Sequence, residues 1–489
     1  MSSAVAISTG HRTYGELPPY SPAQAWPEYR FGRSCLSAGP NQAYEGVREA
    51  LSLLGLDAGQ PGTTTWNPLG TLIQPGETVL LKPNFVREFR ETQEGHGDCL
   101  ITHGSIIRAA CDYVYTALHG RGRIIIADSP HNDADFAAIR RIAGLDEIQE
   151  FYRRHAGFEI EVYDLRPEKA RKIDGVIVGH EPLPGDPAGY VRANLGLNSE
   201  FAEINHLCHR LYGSEYDRSE IRRHHHDDVH EYLISKTVLD ADVVIGLPKL
   251  KTHKKTGMTV NLKNLVGING NKNWLPHHRE GTPSQGGDQF TDDALRHRVE
   301  REFVAGFKRV FPLLGPLRST IAGPAKSLGK RVFGDTNNGT IRSGNWYGND
   351  TTWRMVLDLN RILLYADAEG KIHDQPVRRF FSIVDGIIAG EGNGPLDPKP
   401  KSAGVVIAGF NPVAVDLVCA RLMGFDQERL PMLKQACRAH PLPLRTFPAD
   451  DIMCYSNTPC FHGGLSHFEG PGFVFEPHFG WRGQISIGC

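Results

Sequence analysis

Asp242-Val-Val-Ile-Gly-Leu-Pro-Lys-Leu-Lys-Thr-His-Lys-Lys-Thr-Gly-Met-Thr-Val-Asn-Leu-Lys-Asn-Leu-Val-Gly-Ile-Asn-Gly270 is the stretch on which the reading of the fold turns. It opens with a short apolar run, Val243 to Ile245, closed by Gly246 and Pro248. A run of that length with those stops reads as a buried strand that ends in a loop. The loop is cationic: from Lys249 to Lys263 there are five lysines, one histidine and no acid. A second apolar run, Val260 to Ile268, follows. Ligands of open α/β sheets bind beyond the carboxyl ends of the strands, so a lysine-rich loop at such an end suits an anion. An ordinary lysine run is a solvated face. Here Thr252, His253, Thr259, Asn261 and Asn264 alternate with the lysines, and core-type text flanks them.

The same design recurs outward from this segment. Thr78 to Leu81 is a strand with the tail Lys82-Pro83-Asn84; Arg123 to Asp128 is another, ending in Asp128-Ser129. Thr102-His103-Gly104-Ser105 leads into helical text from Ile106 to Leu118. Repetition of strand, polar tip and helix predicts an α/β fold: a doubly wound, mostly parallel sheet. Arg379 to Gly386 and Gly404 to Gly409 add strands, and Pro412 to Met423 adds a helix carrying Asp416. With 489 residues, the chain divides into an irregular arm over 1–40 and a core over 41–270. A helical and loop insertion over 271–350, a second core part over 351–430 and a loop-rich C-terminal extension over 431–489 complete it.

Several function classes are set aside by composition. A net charge of −2 does not suit a nucleic-acid binder. Nine cysteines, an odd number with no CxxC pair, signal neither a disulfide framework nor an iron–sulfur cluster. There is no secretory leader pattern and no apolar run near the ~18 residues that span a bilayer, so the expected compartment is the cytoplasm. The basic amphipathic text of 295–331 fits either peripheral membrane contact or a helix packed over a cleft.

Histidines and carboxylates mark further candidates. Arg222 to His230 holds four histidines, with His226 and His230 one helical turn apart; with Asp128 and Asp385 they are the candidate ligands for a divalent metal ion. Asn349, Asp350 and Arg354, beside Trp346 and Trp353, suit a polar ligand or a structural helix cap. Glu391 and Asn393 lie in a glycine-alternating segment, Gly390 to Gly394, whose backbone can approach a ligand closely.

Taken in order, Lys82-Pro83-Asn84, Thr102-His103, Asp128-Ser129, Pro248 to His253, Gly257-Met258-Thr259, Lys263 to Gly267, Asp385-Gly386, Glu391 to Pro395 and Pro412 to Asp416 resemble the domain of unknown function 362 family. The resemblance covers roughly 75–135 and 235–430. Many members carry ferredoxin-type cysteine motifs, and this chain carries none. The segment 242–270 is also faintly similar to the lactate racemase family, which implies His103, His253 and Lys263 as site residues, without its cofactor.

These readings converge on an enzyme for an anionic, hydroxylated small molecule: a hydroxy acid, a sugar acid or a phosphorylated precursor. Lys82, Asn84, Lys249, Lys251, Thr259 and Asn264 would bind it, with Asn349, Asp350, Arg354 and Asn393. His253, His103, Lys263, Asp128 and Glu391 would carry acid–base chemistry of isomerase or epimerase type, or of lyase or transferase type if a metal is bound. A ligand-binding or assembly protein of polysaccharide or natural-product biosynthesis is the alternative.

Overall fold

The computed structural model describes residues 2–89, 97–173, 176–213, 218–297, 299, 306, 339–468 and 472–487. An eleven-stranded sheet organises them. Its strands are β1 (Val5–Thr9), β2 (Thr78–Pro83), β3 (Arg123–Asp128), β4 (Ile160–Asp164), β5 (Val243–Leu247), β6 (Lys249–His253), β7 (Gly257–Thr259), β8 (Arg379–Asn393), β9 (Asp397–Gly409), β10 (Met453–Ser456) and β11 (Gly463–Gly464). The order is β11-β10-β1-β9-β8-β5-β2-β3-β4, with β6 joined to β8 and β7. Strands β8, β5, β2, β3 and β4 run parallel. The β8–β9, β9–β1 and β10–β11 pairs are antiparallel. The fold is α/β, built on a large, mostly parallel mixed sheet.

Both faces of that sheet are covered, which is why its central strands read as continuous apolar runs. Side chains alternate along a strand. Val79, Leu81, Val243 and Ile245 face one core, shared with helices α1 (Gln42–Leu53), α2 (Gly104–Ala117) and α4 (Leu145–Ala156); the short α3 (Phe136–Ile142) precedes α4. Leu80, Val244, Ile125 and Val384 face the other core. There they meet α5 (Thr352–Tyr365) and α6 (Pro412–Leu422).

Three segments expected to be arm, extension or loop carry strands. The arm over 1–40 begins as β1, which lies inside the sheet between β9 and β10; Val5-Ala6-Ile7 is too short a run to stand out from its Ser-, Gly- and Pro-rich surroundings. The extension over 431–489 contributes β10 and β11. The lysine-rich segment after Leu247 is not a loop: Lys249 to His253 is strand β6, parallel to β8 and antiparallel to β7. Most of the basic segment 295–331 lies outside the described residues. Among those described, no helix is long and apolar enough to cross a membrane.

Candidate functional site

Strands β2, β3 and β5 deliver their carboxyl ends to one edge of the sheet, and β6 continues past it. A cavity of about 420 Å³ opens there, within the size range of small-molecule sites. Its lining includes the tails after β2 and β3, the segment from Lys251 to Gly267, a turn at 275–278, and single contributions from Tyr212, Lys272, Ser343 and Pro395.

At its base, Lys82 and Asp128 form an ion pair at 2.7 Å. Asp128 also accepts the Phe85 amide at 2.7 Å. The pair depends on Gly267, where an added Cβ would lie 1.9 Å from Asp128 Oδ1 and 2.7 Å from Lys82 Nζ. The Asn264 amide donates to the Lys82 carbonyl at 2.9 Å, and its oxygen accepts from Asn84 at 3.3 Å. The helical turn Asn261–Asn264 that carries Lys263 and Asn264 is itself anchored by Asp416 of α6. Asp416 accepts the amides of Asn261 at 2.9 Å and Leu262 at 3.0 Å. A carboxylate on those two amides fixes where Lys263 projects.

The cavity wall is strongly cationic. Lys251, Lys254, Lys255, Lys263 and Lys272 line it, against one carboxylate, Asp128, which Lys82 already neutralises. Alternation along β6 places Lys251 and His253 on this wall together. Lys251 donates to the Leu100 carbonyl at 2.6 Å, and Lys272 to the Ser129 carbonyl at 2.8 Å. Lys255 donates to the carbonyls of His277, at 3.1 Å, and Ser343. The Lys263 ammonium makes no hydrogen bond or ion pair among the described residues. Burial lowers the ammonium groups of Lys251, Lys255 and Lys272 to about 7, with neighbouring lysines adding to the effect. Burial and Lys82 lower Lys263 to about 8. Buried polar atoms without a partner also face this region: Asn84 Oδ1, Ser129 Oγ and Thr259 Oγ1. The Lys263 ammonium, unpaired among the described residues, beside unpaired hydroxyl and amide oxygens suits an anion that also carries hydrogen-bonding groups.

The cavity gathers Asn84, Asp128, Lys251, His253, Thr259, Lys263 and Asn264 from among the candidates named in the sequence. Lys82 stands just behind that lining, on Asp128, and the cavity does not gather the others. Lys249 lies beneath, paired with Asp385 at 2.6 Å, and both side chains are fully buried. The Tyr14 hydroxyl and the His103 amide also donate to Asp385, at 2.6 and 2.9 Å. His103 is the N-cap of α2, accepting the Ser105 amide at 3.1 Å while stacked on Tyr14; it does not line the cavity. Glu391 sits on the β8–β9 ribbon, 3.4 Å from Lys401 and accepting the Glu476 amide at 2.9 Å. Asn393 ends the same strand, because the glycine-alternating segment is ribbon and not loop.

Asn349, Asp350 and Arg354 work as a helix-start assembly, not as a ligand surface. Asn349 accepts the amides of Thr351 at 3.1 Å and Thr352 at 2.8 Å. Asp350 accepts from Arg279, Trp353 and Arg354. The proposed metal ligands are also separated. Asp128 and Asp385 belong to different lysine pairs. His226 and His230 are on a β-hairpin, pairing with Val229 and His225, not on a helix. His226 faces Asp227, and His230 faces Asn205 at 2.8 Å. Among the described residues, no three His, Cys, Asp or Glu side chains converge to hold a metal.

Lys254, Lys255, Lys272, His131 and His277 are among the lining residues that the sequence does not single out. Lys255 belongs to the quoted lysine run but had no signal to separate it from its neighbours. His277 was visible only as part of Pro276-His277-His278-Arg279 in a polar loop. The structure brings that loop over the cavity by bonds from Asn349 at 3.0 Å and Thr352 at 2.8 Å to the His277 carbonyl.

Residues 165–421 match the family model described as domain of unknown function (DUF362). A thylakoid-associated protein of Synechocystis sp. (strain ATCC 27184 / PCC 6803 / Kazusa) is 22% identical over 369 residues, covering 75% of this chain and 68% of that protein. A crystal structure of a Thermotoga maritima protein aligns with 77% of this chain and 58% of its own, at 10% identity and a TM-score of 0.30. The chain thus spans less than two thirds of that protein's length.

Proposed function

We propose, for a chain that belongs to the domain of unknown function 362 family, an enzyme that binds a multiply charged small anion and moves a proton beside its charged group. Hydroxy acids, sugar acids and phosphorylated compounds are the substrate class. The observation that carries this reading is Lys263, an ammonium with no hydrogen bond or ion pair among the described residues, in a cavity whose described lining holds one carboxylate, Asp128, already paired with Lys82. Lys263, with no protein partner among the described residues, is the cation that a ligand would engage first. Ammonium groups placed where negative charge develops would stabilise an enolate or alkoxide, a large term in a site that excludes water. Amines lowered to about 7 and 8 also exchange protons readily at neutral pH. The cytoplasm is the compartment we assign to this activity, supported by eight free cysteines among the described residues.

The test has two arms. Calorimetry with pyrophosphate and citrate should show binding that weakens at least ten-fold in Lys263→Ala. Incubation in D₂O with a panel of hydroxy and sugar acids should place deuterium on carbon in at least one, read by NMR. Tight anion binding with no exchange in any panel member would favour the non-catalytic binding protein; absence of anion binding would defeat both readings.

A further inference from the structure

His253 and His277 line the same cavity, and the backbone fixes them as opposite tautomers. The Lys255 amide lies 3.1 Å from His253 Nδ1. An amide N–H can only donate, so Nδ1 is bare and the neutral ring carries its proton on Nε2. The Thr256 hydroxyl, 3.0 Å from the same Nδ1, has the Met258 carbonyl as its acceptor at 3.0 Å. In His277 the order is reversed. Nδ1 lies 2.8 Å from the Leu275 carbonyl, which can only accept. Nδ1 therefore holds the proton, and Nε2 presents a lone pair. Burial, then the surrounding lysines, keeps both rings neutral by pushing them well below the usual histidine range. Three donors to the His277 carbonyl, from Lys255, Asn349 and Thr352, hold its loop in place.

We propose that His277 is the general base of this site and His253 its hydrogen-bond donor to the developing oxyanion. This assignment rests on the anionic-substrate reading above and names the groups that would perform it. A C–H bond next to the substrate's carbonyl or carboxylate breaks. Its proton passes to Nε2 of His277, which becomes imidazolium as the substrate's negative charge offsets the surrounding lysines. The electron pair moves onto the substrate oxygen, held by Nε2–H of His253 and the Lys263 ammonium. Return of the proton restores the starting enzyme, so no oxidant or reductant is consumed.

Diethyl pyrocarbonate tests the tautomers without a known substrate, because it acylates the unprotonated imidazole nitrogen. His131, whose Nδ1 faces Asp133, also leaves Nε2 bare and serves as an internal comparison. Peptide mapping of the full chain at pH 7 should find His277 and His131 modified and His253 spared. Equal modification of His253 and His277, or reaction of His131 with His277 untouched, would overturn the assignment. Pyrophosphate should slow modification of His277. Undiminished modification with pyrophosphate present would overturn the anion site while leaving the histidine tautomers standing. His277→Gln should lose deuterium exchange yet bind pyrophosphate within two-fold of the parent; retained exchange would remove His277 as the base.

Discussion

Lys82 Nζ and Asp128 Oδ1 meet at 2.7 Å across the tails of two adjacent parallel strands, with side-chain exposures of 0% and 4%. Removing one partner of a buried ion pair costs about 3–5 kcal/mol, because the other charge stays buried and uncompensated. Asp128→Asn should therefore lower unfolding free energy by about that amount, measured by urea denaturation. Lys82→Met combined with Asp128→Leu should recover much of the loss, since an apolar pair leaves no orphan charge. A double variant less stable than Asp128→Asn would show that the pair acts through something other than charge compensation. Gly267→Ala should resemble Asp128→Asn, because its Cβ would occupy the place of the Asp128 oxygen.

Lys251 and Lys263 predict opposite balances of stability and binding. Lys263 contacts no protein acceptor among the described residues and burial disfavours its charge, so Lys263→Met should not destabilise the chain at neutral pH and should raise its stability. Its pyrophosphate affinity should fall at least ten-fold, about 1.4 kcal/mol. Lys251→Met leaves the buried Leu100 carbonyl without its donor at 2.6 Å, a loss of about 1–3 kcal/mol in stability. Equal effects of the two substitutions on both quantities would mean that the wall is structural throughout.

The lysine cluster also sets a pH dependence with a definite sign. Lys251, Lys255 and Lys272 are lowered to about 7 and Lys263 to about 8, below the roughly 10.4 of an unfolded chain. Between those limits the unfolded state holds more protons, so the cluster's contribution to stability increases as pH rises. That contribution is complete above the unfolded value and is lost as pH falls through 8 and 7. Anion binding has the opposite slope, since the protonated amines hold the ligand. Pyrophosphate affinity should fall from pH 6.5 to 9, and calorimetry in buffers of different ionisation enthalpy should show proton uptake on binding at pH 8. Proton release, or affinity independent of pH, would contradict a site built from these amines.

The sheet was legible in the sequence because its central strands are buried on both faces and read as uninterrupted apolar runs. Lys82, Asp128 and the segment 249–264 were legible for the same reason: they stand directly at the ends of those runs. What lies behind the lysines was not. Whether Asp385 belongs to Lys249 or to a ligand depends on tertiary pairing, and the local text of Val384-Asp385-Gly386 is the same in either case. His226 and His230 have helical spacing, yet Asp227-Asp228 turns the chain and makes that spacing a hairpin. His103 satisfies a helix start, a role that a capping Ser or Thr would advertise more plainly. His277 could not be found from spacing, because the contacts that bring it to the cavity come from residues 72 and 75 positions further along.

Trp481, far along the C-terminal extension, is tied to the cavity wall and gives the last prediction. Its side chain is 1% exposed. The indole N–H donates to the Lys254 carbonyl at 2.8 Å, and the ring meets Tyr347 edge-on at 5.5 Å. It also packs over Gly257, where an added Cβ would lie 2.4 Å from Leu430 and 3.3 Å from the indole. The β6–β7 turn that presents Lys254 and Lys255 is thus clamped from outside by a residue more than 220 positions later. Trp481→Ala should cost about 3–5 kcal/mol, as large aromatic truncations in cores do. Trp481→Phe keeps most of the packing and should lose mainly the hydrogen bond, about 0.5–1.5 kcal/mol. Because the clamp bears on the turn, Trp481→Ala should also weaken pyrophosphate binding, under conditions where circular dichroism shows the chain folded. Parent-like affinity in a folded Trp481→Ala protein would mean that β6 and β7 hold Lys254 and Lys255 unaided, and that the extension serves stability alone.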